Sequence, residues 1–219
     1  MDFSKKHKNW KQILKDLKNQ GPLGELVALE KAIVTTELDM ILYRSRSKNY
    51  EINDKEFHGS FVKELIEQSR DARELSYAPY SHFNVGCAAL VENPEGDKKI
   101  FTGANVENAS YGATLCAERT TVPAAVSKGY RKVLAYAVVG GFDYSMPKKL
   151  RQLADNDFIT PCGNCRQFTY EFEANPCFVI MAKDKGEVMI TLLEYLQPLG
   201  FGPRSLGVDA SKYSRINKK

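Results

Sequence analysis

The sequence predicts an α/β fold, a mixed sheet covered by helices. Three observations carry this. Two apolar runs separated by a turn read as a hairpin, and strand and helix patterns alternate after it. Hydrophobic residues make up 43% of the 219 positions and charged residues 26%, which is a globular composition. That length allows one sizeable core, or one domain with an appendage.

Residues 1–58 read differently from the rest. Trp10, Ile13, Leu14 and Leu17 recur at helical spacing, so residues 6–18 are expected to form a short amphipathic helix. Gln20-Gly21-Pro22 ends it. A second helix is expected over residues 25–43, with Leu26, Leu29, Ile33 and Leu38 among its apolar positions, followed by a polar linker over 44–54. The segment is thus expected to be a helical extension of unassigned role.

From residue 59 the pattern changes. Phe61, Leu65, Ile66 and Ala72 predict a helix ending near Ser76. Tyr77-Ala78-Pro79-Tyr80-Ser81 predicts a loop, since Pro79 disfavours helical geometry in the residue before it. Residues 85–91 form a nearly continuous apolar run that suits a buried strand. Asn93-Pro94-Glu95-Gly96-Asp97 is a turn, and residues 99–103 are the hairpin's second strand. A helix is expected from near Thr114 to about Ser127, although Pro123 would remove one hydrogen bond and kink or end it. Residues 133–139 predict a strand, 162–172 a short helix, and 177–181 and 187–191 two strands joined by Asp184-Lys185-Gly186. Residues 59–206 are expected to form the catalytic domain, and 207–219 a polar, basic tail.

The formal net charge of +4 permits an anionic partner without arguing for one, because no Lys/Arg stripe with interleaved aromatics is present. No apolar stretch approaches membrane-span length. The first 20 residues lack an apolar segment with a small-residue cleavage site. The five cysteines are an odd number, which argues against a disulfide framework and for a reducing, cytoplasmic setting.

Two motifs carry the chemistry. Cys162 and Cys165 form a C-x-x-C pair directly after Pro161, and Cys116 opens the other predicted helix. Helix N-termini lower thiol pKa values, which favours the thiolate that a metal needs. Three protein ligands with one open position is the arrangement of catalytic zinc. Glu118 lies two residues past Cys116, where a carboxylate can face the open position without being a ligand. Cys-x-Glu followed by Pro-Cys-x-x-Cys is the general layout of zinc nucleobase deaminases, with the Glu as acid/base. In that chemistry zinc activates a water for attack on C4 of a pyrimidine, while the carboxylate moves protons to ring N3 and to the departing amine. Three thiolates leave the site negative, and Arg119 is expected to compensate by donating to ligand sulfurs.

Plainer readings compete. A C-x-x-C pair alone can be a redox couple, but that leaves Cys-Ala-Glu without a purpose. A structural zinc module would need a fourth ligand and has no use for Glu118. Cys87 and Cys177 fall in predicted buried strands and are expected to pack in the core; His7, His58 and His82 lack ligand spacing. A nucleotide deaminase would need added cations for phosphate, and a polynucleotide editor a basic groove with stacking aromatics.

Residues Ser76-Tyr77-Ala78-Pro79-Tyr80-Ser81-His82-Phe83-Asn84-Val85-Gly86, Phe101 to Gly112 around Asn105-Val106-Glu107-Asn108, Cys116-Ala117-Glu118-Arg119 and Pro161-Cys162-Gly163-Asn164-Cys165-Arg166-Gln167 together resemble the free-nucleoside cytidine deaminases. The segment 196–206, with Phe201-Gly202-Pro203, is similar to that family's C-terminal part. The likeness covers about residues 60–206. It implies a three-layer α/β/α fold with a five-stranded mixed sheet, and one zinc per subunit. It implies cytidine and deoxycytidine as substrates, with uridine, deoxyuridine and ammonia as products, in pyrimidine salvage. By the same likeness Asn105 and Glu107 hold the ribose hydroxyls, which need such acceptors. Phe83 packs against the base, and Val106, Asn108, Ala109, Ser110 and Tyr111 complete the nucleoside site. The three-Cys variant is a homotetramer whose sites borrow residues from neighbours; Tyr111 and Phe201 are candidates for that contact. The implied partner is a small nucleoside, with no nucleic acid and no membrane.

Overall fold

The computed structural model describes residues 41–44, 61–183, 187–208 and 210. The helices expected over 6–18 and over most of 25–43, and the linker after residue 44, lie outside them.

One mixed sheet organises the chain. Its strands are β1 (Ile41–Arg44), β2 (Phe83–Glu92), β3 (Lys98–Ala104), β4 (Lys132–Phe142), β5 (Glu173–Ala182) and β6 (Glu187–Leu192). The helices are α1 (Phe61–Arg73), α2 (Ala117–Ser127), α3 (Lys148–Asn156), α4 (Gly163–Tyr170) and α5 (Leu193–Leu196). The strand order is β1-β6-β5-β4-β2-β3. Only β4 and β5 run parallel; the other pairs are antiparallel. The parallel pair needs a crossover, which α3 and α4 supply.

Both faces of the sheet are buried, so the central strands are apolar at successive positions rather than alternate ones. On one face Ala88, Leu90, Ala135, Ala137, Phe178 and Ile180 meet Phe61, Val62, Leu65 and Ile66 of α1. On the other, Cys87, Ala89, Val138, Cys177 and Val179 meet Ala117, Val122 and Ala125 of α2 and Leu193 of α5. This is the expected three-layer α/β/α architecture.

Two glycines let helices approach the sheet closely. A Cβ on Gly86 would stand 1.9 Å from Ser69 O, so α1 lies with its backbone against β2. A Cβ on Gly103 would stand 2.4 Å from Thr120 Oγ1 and 2.8 Å from Thr121 N, which brings α2 against β3. Thr120 then donates to Ala104 O at 2.8 Å.

The structure differs from the sequence expectations in three places. Beside the five expected strands lies a sixth, β1, pairing Ile41 with Ile190 through Arg44 with Glu187. Residues 41–43 are thus not the end of the helix expected over 25–43; the edge of β6 offers them backbone partners that outweigh local spacing. Pro123 does not end α2, which continues four residues past it to Ser127. Helices α3 and α5 were not anticipated; both are short, and α5 is a single turn.

Candidate metal centre and active site

The N-termini of α2 and α4 meet on one face of the sheet. Cys116 is the N-cap of α2 and Cys162 the N-cap of α4, both with extended backbone. Cys165 sits one turn into α4. The strand-helix alternation is what brings them together, since β4 separates the two helices in sequence but not in space.

The three sulfurs lie within 4.8 Å of one another, the one group of three or more candidate ligands among the described residues. Cys116 Sγ is 3.8 Å from Cys162 Sγ, and Cys162 Sγ is 3.4 Å from Cys165 Sγ. Cys165 is buried, Cys116 half-buried and Cys162 exposed. His82 is not part of the group, and Cys87 and Cys177 are buried in the core.

The donor chemistry fits zinc. Hydrogen bonding from Cys165, then from Cys162 and Arg119, outweighs burial and lowers the Cys116 thiol to about 5. Cys165 is pushed up because it serves as donor to Cys116 and is buried beside Glu118. Three cysteine sulfurs at this spacing suit a divalent ion, which displaces thiol protons when it binds.

Glu118 is buried, at 3% exposure, against this cluster. Burial raises its pKa, helped by the negative charge of Cys116, while a hydrogen bond from Cys165 acts the other way. A carboxyl held above its usual range beside a metal site is suited to take and give protons near neutral pH. Arg119 donates to Thr114 O at 2.7 Å and to Cys116, and its proximity to all three cysteines raises its own pKa against the effect of burial. Arg119 thus sets a guanidinium beside the three sulfurs.

The segment Asn105–Tyr111 is tied directly to this centre. Val106 and Leu115 exchange backbone hydrogen bonds, both 2.9 Å, so the segment lies against the residue before Cys116. Asn108 N donates to Thr114 Oγ1 at 3.1 Å, and Asn108 Oδ1 accepts from Ser110 N at 2.8 Å. Ala109, Ser110 and Tyr111 form the exposed tip of the closed loop.

Asn105 is 8% exposed. Its Oδ1 accepts from Val85 N at 2.8 Å and its Nδ2 donates to Phe83 O at 2.9 Å. The amide thus splices the loop to the start of β2, and one N–H and one lone pair remain for a ligand. Glu107 Oε2 accepts from Tyr80 N at 2.9 Å and Ser81 N at 3.2 Å. Partial burial opposes ionisation, but Ser81 and Tyr80 donors and the nearby His82 hold this carboxyl below its usual range.

Phe83 stands edge-on to Phe142, ring centroids 4.9 Å apart, and is half-buried. Tyr111 is 77% exposed and meets Tyr80 edge-on at 6.2 Å. Phe201 is 61% exposed, its carbonyl accepting from Gln167 of α4. Tyr111 and Phe201 are therefore not core aromatics. Sequence reasoning missed Ser81 and Asp143, which hold the turn before β2. It also missed Tyr136, whose fully buried hydroxyl has no hydrogen-bond partner among the described residues.

Residues 60–181 match the family model of the cytidine and deoxycytidylate deaminase zinc-binding region. A probable cytidine deaminase of Dictyostelium discoideum is 42% identical over 111 residues, covering 51% of this chain and 65% of that protein. A cytidine deaminase of Sporosarcina psychrophila is 38% identical over 151 residues, covering 69% of this chain and 98% of the relative. The crystal structure of cytidine deaminase from Burkholderia pseudomallei superimposes with a TM-score of 0.53 at 40% identity, covering 64% of this chain and 98% of that one.

Proposed function

Given that this chain belongs to the cytidine deaminase family, we propose that it hydrolyses cytidine and deoxycytidine to uridine and deoxyuridine with release of ammonia, as a step of pyrimidine salvage. The observation that carries this is the convergence of three cysteine sulfurs within 4.8 Å beside the buried carboxyl of Glu118.

Cys116, Cys162 and Cys165 would hold one zinc per subunit. When bound there, zinc supplies the Lewis acidity that brings the pKa of water toward neutrality. Glu118 takes one proton from the attacking water and delivers it to ring N3, then takes the second from the resulting C4 hydroxyl and passes it to the amine as the C4–N bond breaks, the carbonyl forms and ammonia leaves. Burial raises its pKa above the ordinary carboxylate value, which favours uptake of the proton. Arg119 spreads positive charge over the sulfurs. Asn105 and Glu107 hold the sugar hydroxyls, Phe83 flanks the base, and Val106, Asn108, Ala109, Ser110 and Tyr111 line the remainder.

A nucleoside suits this site better than a nucleotide. The two arginines of the motifs are engaged with protein carbonyls, Arg119 with Thr114 O and Arg166 with Pro161 O at 2.7 Å and Leu196 O at 3.1 Å. A homotetramer is part of the proposal, with the exposed rings of Tyr111 and Phe201 meeting neighbouring copies. No helix among the described residues is long and apolar enough to cross a membrane. Unpaired thiol ligands suit a reducing, cytoplasmic compartment.

The test is the loss of cytosine absorbance with cytidine, deoxycytidine, CMP, dCMP and single-stranded DNA side by side, with and without a zinc chelator. Chelator-sensitive turnover of the two nucleosides is expected, and Glu118→Gln should reduce it by about 10²–10⁴-fold with zinc retained. Activity on the nucleotides or DNA alone, or an active Glu118→Gln enzyme, would overturn the reading.

A further inference from the structure

The turn before β2 carries the one non-glycine residue of the loop at positive φ. His82 has φ 56°, the left-handed region that histidine adopts uncommonly. Three bonds hold it there. His82 N donates to Ala78 O at 3.0 Å, closing the turn. Asp143 N donates to His82 O at 2.9 Å. His82 Nδ1 lies 3.2 Å from Asp143 Oδ2. Asp143 is itself fixed, since its Oδ1 accepts from Ser145 N at 2.8 Å and from the Ser145 hydroxyl. Ser81 Oγ accepts from Phe83 N at 3.0 Å on the other side of the histidine.

The same turn presents its amides to Glu107. Tyr80 N and Ser81 N both point at Oε2 of that carboxylate. Next to it, Glu107 N donates to Tyr77 O at 2.8 Å, and Tyr77 N to Asn105 O at 3.0 Å. The turn is therefore clamped between Asp143, just past β4, and the Asn105–Glu107 segment. A strained backbone held from outside by the His82–Asp143 contact, and delivering two donors to a site carboxylate, is a preorganising device.

We propose that His82 and Asp143 are positioning residues for the nucleoside's sugar, holding the turn whose amides orient the Glu107 carboxylate. This rests on the reading that Glu107 receives the sugar hydroxyls. His82 and Asp143 act on Glu107 chiefly through the Tyr80 and Ser81 amides, with His82 adding a smaller direct electrostatic effect on that carboxyl. Releasing the pair lets the turn relax, so Glu107 loses orientation while Glu118 and the thiols keep theirs.

The experiment measures kcat and KM of the zinc-loaded enzyme for cytidine and for 2′,3′-dideoxycytidine, which lacks the 2′- and 3′-hydroxyls. His82→Ala and Asp143→Asn should raise KM for cytidine about tenfold, the loss expected when a charge-assisted contact is displaced, with kcat little changed. Neither should alter kcat/KM for the dideoxy substrate. His82→Asn should restore the wild-type KM, because asparagine tolerates the left-handed backbone and can still donate to Asp143. Asp143→Asn leaves the backbone unchanged and carries the test if His82→Ala does not fold. Equal losses on both substrates, or no loss on cytidine, would overturn the proposal. Glu107→Gln in the same panel separates the two ideas. If it also fails to discriminate the substrates, the sugar-contact reading falls; if it discriminates and the pair variants do not, only the positioning inference falls.

Discussion

One face of the sheet meets α1 through aliphatic and aromatic side chains, with Phe61, Val62, Leu65 and Ile66 set against Leu90, Ala137, Phe178 and Ile180. Its buried polar residue, Ser69, is satisfied by Leu65 O at 2.8 Å and Ala137 O at 3.0 Å. The opposite face meets α2 and α5 and is built from softer and more polar groups, including Cys87, Cys177, Tyr136, Met181 and Met189. Beside it stand Glu118, Cys165 and Thr121, all buried. Helix orientation explains the difference. Helix α1 lies along its face and offers an apolar stripe, whereas α2 and α4 direct their N-termini at one point and offer free amides and thiolates. Apolar burial on the first face offsets polar burial on the second, where Glu118 and the cysteines find partners in one another and in Arg119.

This contrast can be broken from either side. The largest effect belongs to the polar face. Cys165→Ser should abolish zinc retention and deamination together, read by metal analysis and by cytidine turnover, because a buried ligand is lost from a set of three. Retained zinc with full activity would refute the assignment of the site.

Leu65→Ala is the matching cut on the apolar face. Leu65 is 0% exposed, so the truncation should cost about 2–5 kcal/mol in denaturant unfolding. The kcat and KM of the folded fraction should stay unchanged. A selective fall in kcat would show that the two faces are not separable in this way.

Tyr136→Phe sharpens the comparison within the polar face. Its buried hydroxyl lacks a partner among the described residues, so removing it should leave stability unchanged or raise it by about 1–3 kcal/mol. Thermal unfolding reads this, and a marked destabilisation would mean that the hydroxyl is satisfied in solution.

The smallest effect lies at the sheet's rim. Glu92 is paired with Lys98 at 3.1 Å and Lys132 at 3.0 Å. Partial burial opposes ionisation, but these two lysines lower its pKa below 4.5. A depressed carboxylate adds stability that is present above its unfolded value and is lost as pH falls through the folded one. Glu92→Gln should therefore cost less than about 1 kcal/mol at pH 7, and the gap to wild type should close in acid below about pH 4.5. A gap that widens in acid would contradict the pairing.

Much of the architecture was legible because it rests on local pattern. The five strands of the domain follow from apolar runs between turns, and α1, α2 and α4 from spacing and thiol position. Strand β1 was not legible, because its partner is β6, some 150 residues away, and nothing local to residues 41–44 records that edge. The persistence of α2 beyond Pro123 was also not legible. Val122 and Ala125 pack into the core on either side of the proline, and that burial outweighs one missing hydrogen bond.

For the site, the sequence by itself determined the donor types and the carboxylate beside them, since Cys116-Ala117-Glu118 and Cys162-Gly163-Asn164-Cys165 are each a single helical turn. Only the tertiary structure decided that the two turns meet, through the parallel pairing of β4 with β5 that aligns the intervening crossover. It also decided that Glu107 is held by amides 26 and 27 residues away, from a turn that His82 and Asp143 secure. The reason is one of range. Ligand chemistry and helix starts are set by neighbours along the chain, whereas the orientation of a carboxylate depends on which distant backbone groups the folded sheet brings to it.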